Sequence, residues 1–542
     1  MFIALAQINP VVGDLDYNTG KIFEYINKAR AAQSDLVIFP ELTLTGYPPQ
    51  DLLLNKQFLD AVEIKLQEIS RFAGDTGIIL GAPMRSPNGL YNAATLLYRG
   101  KLQEMRYKSL LPVYDIFDEK RYFNPAKERS CLVYKGKKLG VTVCEDIWND
   151  KDYWNRQRYD IDPVEELVQQ GAEIIINLSA SPYHYGKYAL RTDMLNKVAS
   201  KHKVDMVYVN QVGGNDHLIF DGSSVAVNKM GKLCLQLNKF AEDFAVFDTC
   251  RTCKGVLDKY GREDISWVYE ALLLGTRDYL HKNGFSRALV GLSGGIDSSV
   301  TAVLAVAALG RENVLGVSMP SRYSSQGSRD DARLLAENLG IEYRFLTIEN
   351  IFKAYIELFN PEGHPIMDLA EENIQARIRG NILMFISNRE GQMVLTTGNK
   401  SEMAMGYSTI YGDMAGGLNV LADVPKVMVY RLAEYINRGK EIIPRSVIYK
   451  PPSAELRPDQ SDEDSLPPYR VLDQILKAYI EDIKPIDEIV AMGHCRELVL
   501  DIARRVDAAE YKRQQAPTGL RVTSRAFGPG RRMPIAQRWR LE

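Results

Sequence analysis

Apolar and polar positions follow two different rhythms along this chain. From residue 1 to about 250, short β-branched runs (DLVIFP, GIILGAP, LGVTVCED, AEIIINLSAS, VDMVYVNQV) alternate with stretches of helical spacing, notably Asn18 to Ala32 and Leu59 to Ala73. Short apolar runs read as buried strands and the spaced stretches as amphipathic helices, so the first half is an α/β domain. FDGSSVAVN and KLCLQLN, joined through Lys229 to Gly231, read as a late hairpin. From Glu263 the helical stretch ISWVYEALLLGTRDYLHKN comes first, then a strand, turn and helix around Ser293, then repeated strand and helix. That order predicts a doubly wound parallel sheet with ligands at the carboxyl ends of its strands. The polar segment between the halves, with Gly255 and Gly261, is the expected linker. The division is therefore residues 1–250, a linker over 251–262, and 263–542. The Pro-, Ser- and Asp-rich run Lys450 to Pro468 has no apolar periodicity and is expected to be a mobile loop.

Composition acts mainly by exclusion. A chain of 542 residues, 45% apolar and 25% charged, is an ordinary multidomain globular protein. A formal charge of -2 and the lack of any run of five or more basic residues argue against a nucleic-acid partner. The Arg-rich stretch Arg521 to Arg540 is interrupted by Phe527, Gly528, Pro529 and Pro534 and reads as a packed or dimer-facing tail. Met1 leads straight into the strand-like FIALAQINP, without a basic leader. The longest apolar stretch, Val300 to Leu309, is too short for a bilayer, so no membrane association and a cytoplasmic location are expected. Six cysteines are too few for a disulfide framework. Cys250 and Cys253 form a CxxC with no second ligand pair at zinc spacing, and no HExxH is present.

Residues 290 to 299, Val-Gly-Leu-Ser-Gly-Gly-Ile-Asp-Ser-Ser, carry the strongest chemical signal. Gly294 and Gly295 leave backbone N–H groups open to an anion, and the helix that follows aims its unpaired amides and positive dipole end at the same place. Ser293, Asp297, Ser298 and Ser299 surround that place, while the Gly-Lys-Ser/Thr ending of a P-loop is missing. The strand, SGGxDS and helix together resemble the ATP pyrophosphatase family, which implies cleavage of ATP between its α and β phosphates. In SMPSRYSSQGS a serine-rich loop follows the strand VLGV, suited to a phosphate or ribose. In LTTGNKSEMAMGYSTIYGD, Thr397 and Glu402 follow the strand MVLT, where Glu402 could share Mg²⁺ with Asp297.

In the first half, Cys144 ends the strand LGVTV and is followed by Glu145, Asp146 and Trp148. A thiol there is presented outward. Glu41 after DLVIFP and Lys108 in KSLLPVYDIFDEKRYF also stand at strand ends. An ammonium shifts a thiol toward thiolate, and a carboxylate can take its proton and later activate water, so the three could make and hydrolyse a thioester.

The strings FPELTLTGYPPQDLL, KSLLPVYDIFDEKRYFNP, GVTVCEDIWND and NLSASPYHYGK resemble the nitrilase superfamily in its glutamine-hydrolysing branch, over essentially residues 1 to 250. That resemblance implies an α-β-β-α sandwich and a triad of Glu41 as proton acceptor, Lys108 as oxyanion and thiolate stabiliser and Cys144 as nucleophile. A second glutamate falls at Glu119, and Tyr114, Ser181 and Lys187 fall where relatives hold glutamine. The second half resembles the NAD synthetase family. The resemblance implies that Ser293, Gly294, Gly295, Asp297, Ser298, Thr397, Lys426 and Ser453 serve ATP. It also implies that Asn373, Arg377, Glu402, Asp413 and Lys512 face deamido-NAD⁺, and that the subunits form a homo-oligomer. Relatives often carry Thr after the lysine of DVPK, where this chain has Val427. The tail AFGPGRRMPIAQRW also matches, as expected of a complete chain. Glutamine, ATP and the dinucleotide acid are thus the expected substrates. The same chemistry on another carboxylate, and a non-catalytic scaffold, stay open as alternatives; intact Glu41, Lys108 and Cys144 argue against the scaffold.

Overall fold

The computed structural model describes residues 1–155, 157–251, 253, 255, 258–261, 263–360, 368–539 and 541. The chain divides into two compact units, Met1–Glu263 and Asp264–Glu542.

In the first unit one six-stranded sheet runs in the order Asp243–Asp248, Phe2–Gln7, Leu36–Ile38, Gly77–Ser86, Gly89–Tyr98, Lys101–Tyr107. A second runs Leu233–Gln236, Val225–Val227, Asp205–Asn210, Ile174–Ser179, Lys137–Val143, Leu132–Tyr134. Side chains alternate across a strand. Ile3 and Leu5 accordingly meet Val141, Val143, Ile176 and Leu178 between the sheets. Ala4 and Ala6 lie instead against Ile22, Ile26, Val62 and Leu66 of the helices Leu15–Ala31 and Lys56–Phe72. Helix Lys187–His202 covers the far face of the other sheet through Met194, Leu195 and Val198. Strands buried on both faces need continuous apolar runs, which is why these runs do not alternate. The four layers are helix, sheet, sheet, helix. The expected late hairpin is the antiparallel pair Val225–Val227 and Leu233–Gln236.

The second unit holds one parallel sheet, ordered Glu342–Phe345, Val314–Ser318, Ala288–Gly291, Met393–Thr396, Leu418–Asn419, Thr518–Gly519. The first strand in sequence is central and the chain reverses its direction of winding there, which is the switch point where open α/β sheets bind ligands. The SGG turn leaves that strand. The helix after it spans Ile296–Leu309, four residues earlier than the apolar run from Val300 suggests, because the Ser299 amide and the Ser298 and Ser299 hydroxyls all bond back to the Gly295 carbonyl.

Three expectations change. Of the linker 251–262, positions 252, 254, 256, 257 and 262 lie outside the described residues. Its described part packs on the first unit: Asp258 accepts from Tyr188 Oη (2.9 Å) and Gln236 Nε2 (2.8 Å), and the Tyr260 hydroxyl accepts from Lys239 N. Cys253 is paired with Cys234 in a disulfide, not grouped with Cys250, which is free and exposed. The run Lys450 to Pro468, expected to be mobile, is pinned by polar groups that periodicity does not register. Glu455 bonds Ser325 and Ser328, Gln375 Nε2 donates to Leu456 O, and buried Asp462 accepts from Tyr469 Oη. The Arg-rich tail is packed where Arg531 reaches Asp507 at 2.5 Å; Arg540 lies outside the described residues. Among the described residues no helix is long and apolar enough to cross a membrane.

One close approach governs the turn that carries Glu41. A Cβ on Gly81 would lie 2.4 Å from Leu42 N and 2.5 Å from Pro40 O. Gly81→Ala is expected to push that turn outward and destabilise the first unit by about 1–3 kcal/mol, measurable as a lower denaturation midpoint.

Candidate active site

The strand ends of the first unit deliver a buried charge cluster. Glu41 follows Leu36–Ile38, Lys108 follows Lys101–Tyr107, and Glu119 sits on the single turn Glu119–Arg121. Lys108 is 1% exposed, and its Nζ donates to Glu41 Oε1 and Glu119 Oε1, both at 2.7 Å. Glu41 Oε1 also accepts from Asn92 Nδ2 (2.7 Å), and its Oε2 from the Ala180 amide (3.1 Å). Tyr47 Oη donates to Glu119 Oε1 at 2.8 Å. Two acceptors of this cluster, Asn92 Oδ1 and Glu119 Oε2, are buried without a protein partner.

Cys144 ends the strand Lys137–Val143 and opens the single turn Cys144–Ile147. Its φ is +43°, a left-handed conformation that a non-glycine residue adopts at a cost. The Asn177 amide reaches its carbonyl at 3.4 Å. Burial first, then the Glu41 charge, push the Cys144 thiol well above its ordinary value, against the pull of Lys108. This reverses the expected drift toward thiolate: desolvation and the three carboxylates Glu41, Glu145 and Glu119 outweigh one ammonium. Burial opposes the Lys108 charge, yet Glu119 and Glu41 hold its ammonium well above the usual range. Burial raises Glu119 to about 7, with Lys108 opposing and Glu41 adding like-charge repulsion. The resting site is a thiol within the field of the Glu41 carboxylate.

The residues expected to hold glutamine flank this cluster. Tyr114 Oη donates to Glu145 (2.8 and 2.9 Å), Tyr159 Oη donates to the same carboxylate (3.1 Å), and the Arg158 guanidinium stacks 3.8 Å over the Tyr114 ring. Ser181 is buried, its amide held by Asn210 Oδ1 (2.9 Å), next to the Ala180 amide that binds Glu41. Lys187 Nζ donates to Pro182 O (2.8 Å), 5.7 Å from the Trp148 ring. Glu145 is a residue to which sequence reasoning gave no role, although it stands next to the nucleophile. Asn92 and Tyr47 carried no signal.

In the second unit Gly294 has φ +78°, and a Cβ there would meet Ser328 O at 2.2 Å, so the SGG turn closes against the serine loop. Ser293 Oγ and Ser298 Oγ lie 3.0 Å apart, and the Gly295 amide donates to Ser293 Oγ. Asp297 Oδ1 accepts from Asn399 Nδ2 (2.9 Å) and its Oδ2 from Lys426 Nζ (2.5 Å). The same ammonium donates to Glu402 Oε1 at 2.9 Å. Burial lifts Glu402 to about 7, with Lys426 opposing and Asp297 repelling. Half-buried Thr397 follows the strand Met393–Thr396, two residues before Asn399. Among the described residues no group of three or more His, Cys, Asp and Glu could hold a metal. Asp297 and Glu402 converge on the Lys426 ammonium, so a cation such as Mg²⁺, completed by phosphate oxygens, would share these two hard oxygen donors with that lysine.

Ser453 lies on the segment that packs against the serine loop. It is exposed, its Oγ donates to Gln460 O within its own loop, and Glu455 is the side chain that reaches the serine loop. Four expected acceptor residues gather on the loop from Gly406 to Asp413. Lys512 Nζ donates to Gly406 O and Ser408 O, Arg377 Nε to Ile410 O, Thr409 Oγ1 to Asn373 Oδ1, and the Thr409 amide to Asp413. Burial raises Asp413 to about 6. Val427 offers no hydroxyl, but its amide is used by Asp473 at 2.9 Å.

Comparison with known proteins follows the same division. The carbon-nitrogen hydrolase family model matches residues 2–250 and the NAD synthase model residues 268–516. A glutamine-dependent NAD(+) synthetase of Synechocystis sp. is 48% identical, the match covering 99% of this chain and 98% of that protein. One from Thermotoga maritima is 43% identical, with 99% of each covered. The structure of glutamine-dependent NAD+ synthetase from Acinetobacter baumannii in complex with adenosine diphosphate superposes with a TM-score of 0.78 at 39% identity, covering 98% of both chains. Such identity along nearly the full length means that the chain belongs to the glutamine-dependent NAD(+) synthetase family.

Proposed function

We propose that the chain amidates deamido-NAD⁺ to NAD⁺, with ATP as the driving substrate and the side-chain amide of L-glutamine as nitrogen source. The observation that carries this reading is the buried Lys108 ammonium between Glu41 and Glu119 beside Cys144, in one chain with an SGG turn that opens a helix at a sheet switch point.

Glu41 takes the proton of the Cys144 thiol as sulfur attacks the glutamine carbonyl. Lys108 and backbone amides at the Cys144 turn stabilise the tetrahedral oxyanion. Glu41 returns the proton to the departing ammonia, then activates a water that cleaves the thioester and frees glutamate. A high-lying thiol suits this order, because the thiolate forms only when the base accepts its proton. In the second unit Ser293, Gly294, Gly295, Ser298 and the amino end of helix Ile296–Leu309 receive the ATP phosphates, with Thr397, Lys426 and Ser453 completing that set. Asn373, Arg377, Asp413 and Lys512 orient the dinucleotide acid so that its carboxylate meets the α phosphorus and pyrophosphate leaves. Ammonia then displaces AMP from the adenylate. Asp297 and Glu402 would hold Mg²⁺, which supplies charge neutralisation for pyrophosphate. The enzyme works on small molecules, as a cytoplasmic homo-oligomer.

Three outcomes test this division of labour. Cys144→Ala should lower glutamine-driven NAD⁺ synthesis by ~10³-fold or more while synthesis from an ammonium salt persists; loss of both would overturn it. Asp297→Asn should lower synthesis from either donor by ~10²-fold and leave glutamate release measurable. Because Glu119 is held up to about 7, it gains a proton as pH falls through that value and gives up one of the two charges on Lys108. Glutamate release should therefore fall on acidification through pH ~7, and Glu119→Gln should be slower by ~10²-fold without that inflection.

A further inference from the structure

Lys108 and Cys144 arrive from different sheets: Lys108 from the edge strand Lys101–Tyr107 of one, Cys144 from Lys137–Val143 of the other. The layer between the sheets is apolar, and apolar packing is non-directional, so it does not set a spacing between two polar atoms to within tenths of an ångström. One side chain bridges the two strand ends. Asp146, 3% exposed on the turn Cys144–Ile147, accepts the Ser109 amide (3.0 Å) and the Leu110 amide (2.8 Å) on Oδ1 and the Val143 amide (3.0 Å) on Oδ2. Ser109 directly follows the lysine and Val143 directly precedes the nucleophile.

We propose that Asp146 is a positioning residue that fixes the distance between the Lys108 ammonium and the Cys144 sulfur by clamping the backbone beside each. The inference rests on the reading of Lys108 and Cys144 as the amide-cleaving pair. The burial of Asp146 is costly: desolvation lifts it to about 6 despite its three backbone donors. The left-handed backbone of Cys144 needs the same restraint, since strained residues persist only where their surroundings over-determine them. Both oxygens are used, one toward each sheet. A carboxamide of the same shape offers one acceptor oxygen and one donor NH₂, so it holds one side of the clamp and repels the N–H on the other.

The test compares wild type with Asp146→Asn and Asp146→Glu in the full chain, after confirming that wild type releases glutamate from glutamine and that Cys144→Ala does not. Failure of that first comparison sinks the reading of the pair itself. With it satisfied, Asp146→Asn is expected to lower kcat for glutamine by ~10²-fold, with KM within about threefold. Alkylation of Cys144 by iodoacetamide should change in rate as the sulfur shifts relative to Lys108, while ammonium-driven synthesis stays within about twofold. Asp146→Glu, which retains two acceptor oxygens, should recover at least tenfold of the lost kcat. A kcat for Asp146→Asn within threefold of wild type would overturn the proposal, as would an equal loss of ammonium-driven synthesis, or failure of both variants to fold, which would make Asp146 a folding residue only.

Discussion

A lysine ammonium stripped of water and held between two carboxylates is the constraint around which the first unit is organised. Lys108 bonds Glu41 and Glu119 at equal distances. Taking three charges out of water costs several kcal/mol per ion, and geometry repays that only when the remaining lone pairs are also used. Glu41 meets the condition through Asn92 and the Ala180 amide, and Glu119 through Tyr47 on one oxygen alone. Burial, and after it the net negative charge left over, lifts the neighbouring thiol. The second unit repeats the device with different backbone: Lys426 lies between Asp297 and Glu402, buried, with the Tyr469 ring 5.2 Å away. In both places a carboxylate is driven to about 7 by burial, so each cluster titrates near neutrality.

Much of the fold was legible because the strands are buried on both faces. Continuous apolar runs marked Leu36–Ile38, Ile174–Ser179 and Asp205–Asn210, and a strand's end in sequence is its end in space, so Glu41 and Cys144 could be placed at sheet rims from the string alone. The SGG turn was legible for a related reason: glycines at a strand-to-helix junction have few explanations other than close approach, and Gly294 does abut Ser328 O. Residues that act by hydrogen bonding across long separations were not legible. Asn92 lies 51 positions from Glu41, and Asn210 lies 29 from Ser181; a buried amide carries no periodicity. The direction of the Cys144 shift also required the structure, because proximity to an ammonium is visible in a motif and the desolvation that outweighs it is not.

Polarity misled in one place. The run Lys450 to Pro468 reads as a solvated loop, yet its polar groups are partners: Glu455 bonds Ser325 and Ser328, and Lys450 bonds Ser328 and Asp331. The serine loop beside the SGG turn is thereby held from a segment about 130 residues downstream. Charge complementarity substitutes for apolar burial, a kind of order that composition statistics read as its opposite.

The pairing of Phe2–Gln7 with Asp243–Asp248 bears on how the chain comes into being. The opening strand sits inside its sheet, so one of its edges stays bare until the last strand of that unit has left the ribosome. An exposed edge is a template for wrong partners. At a translation speed of about 5–20 residues per second, that edge waits on the order of ten seconds or more, which makes this interval the stretch of biosynthesis in which a holding chaperone has most to protect.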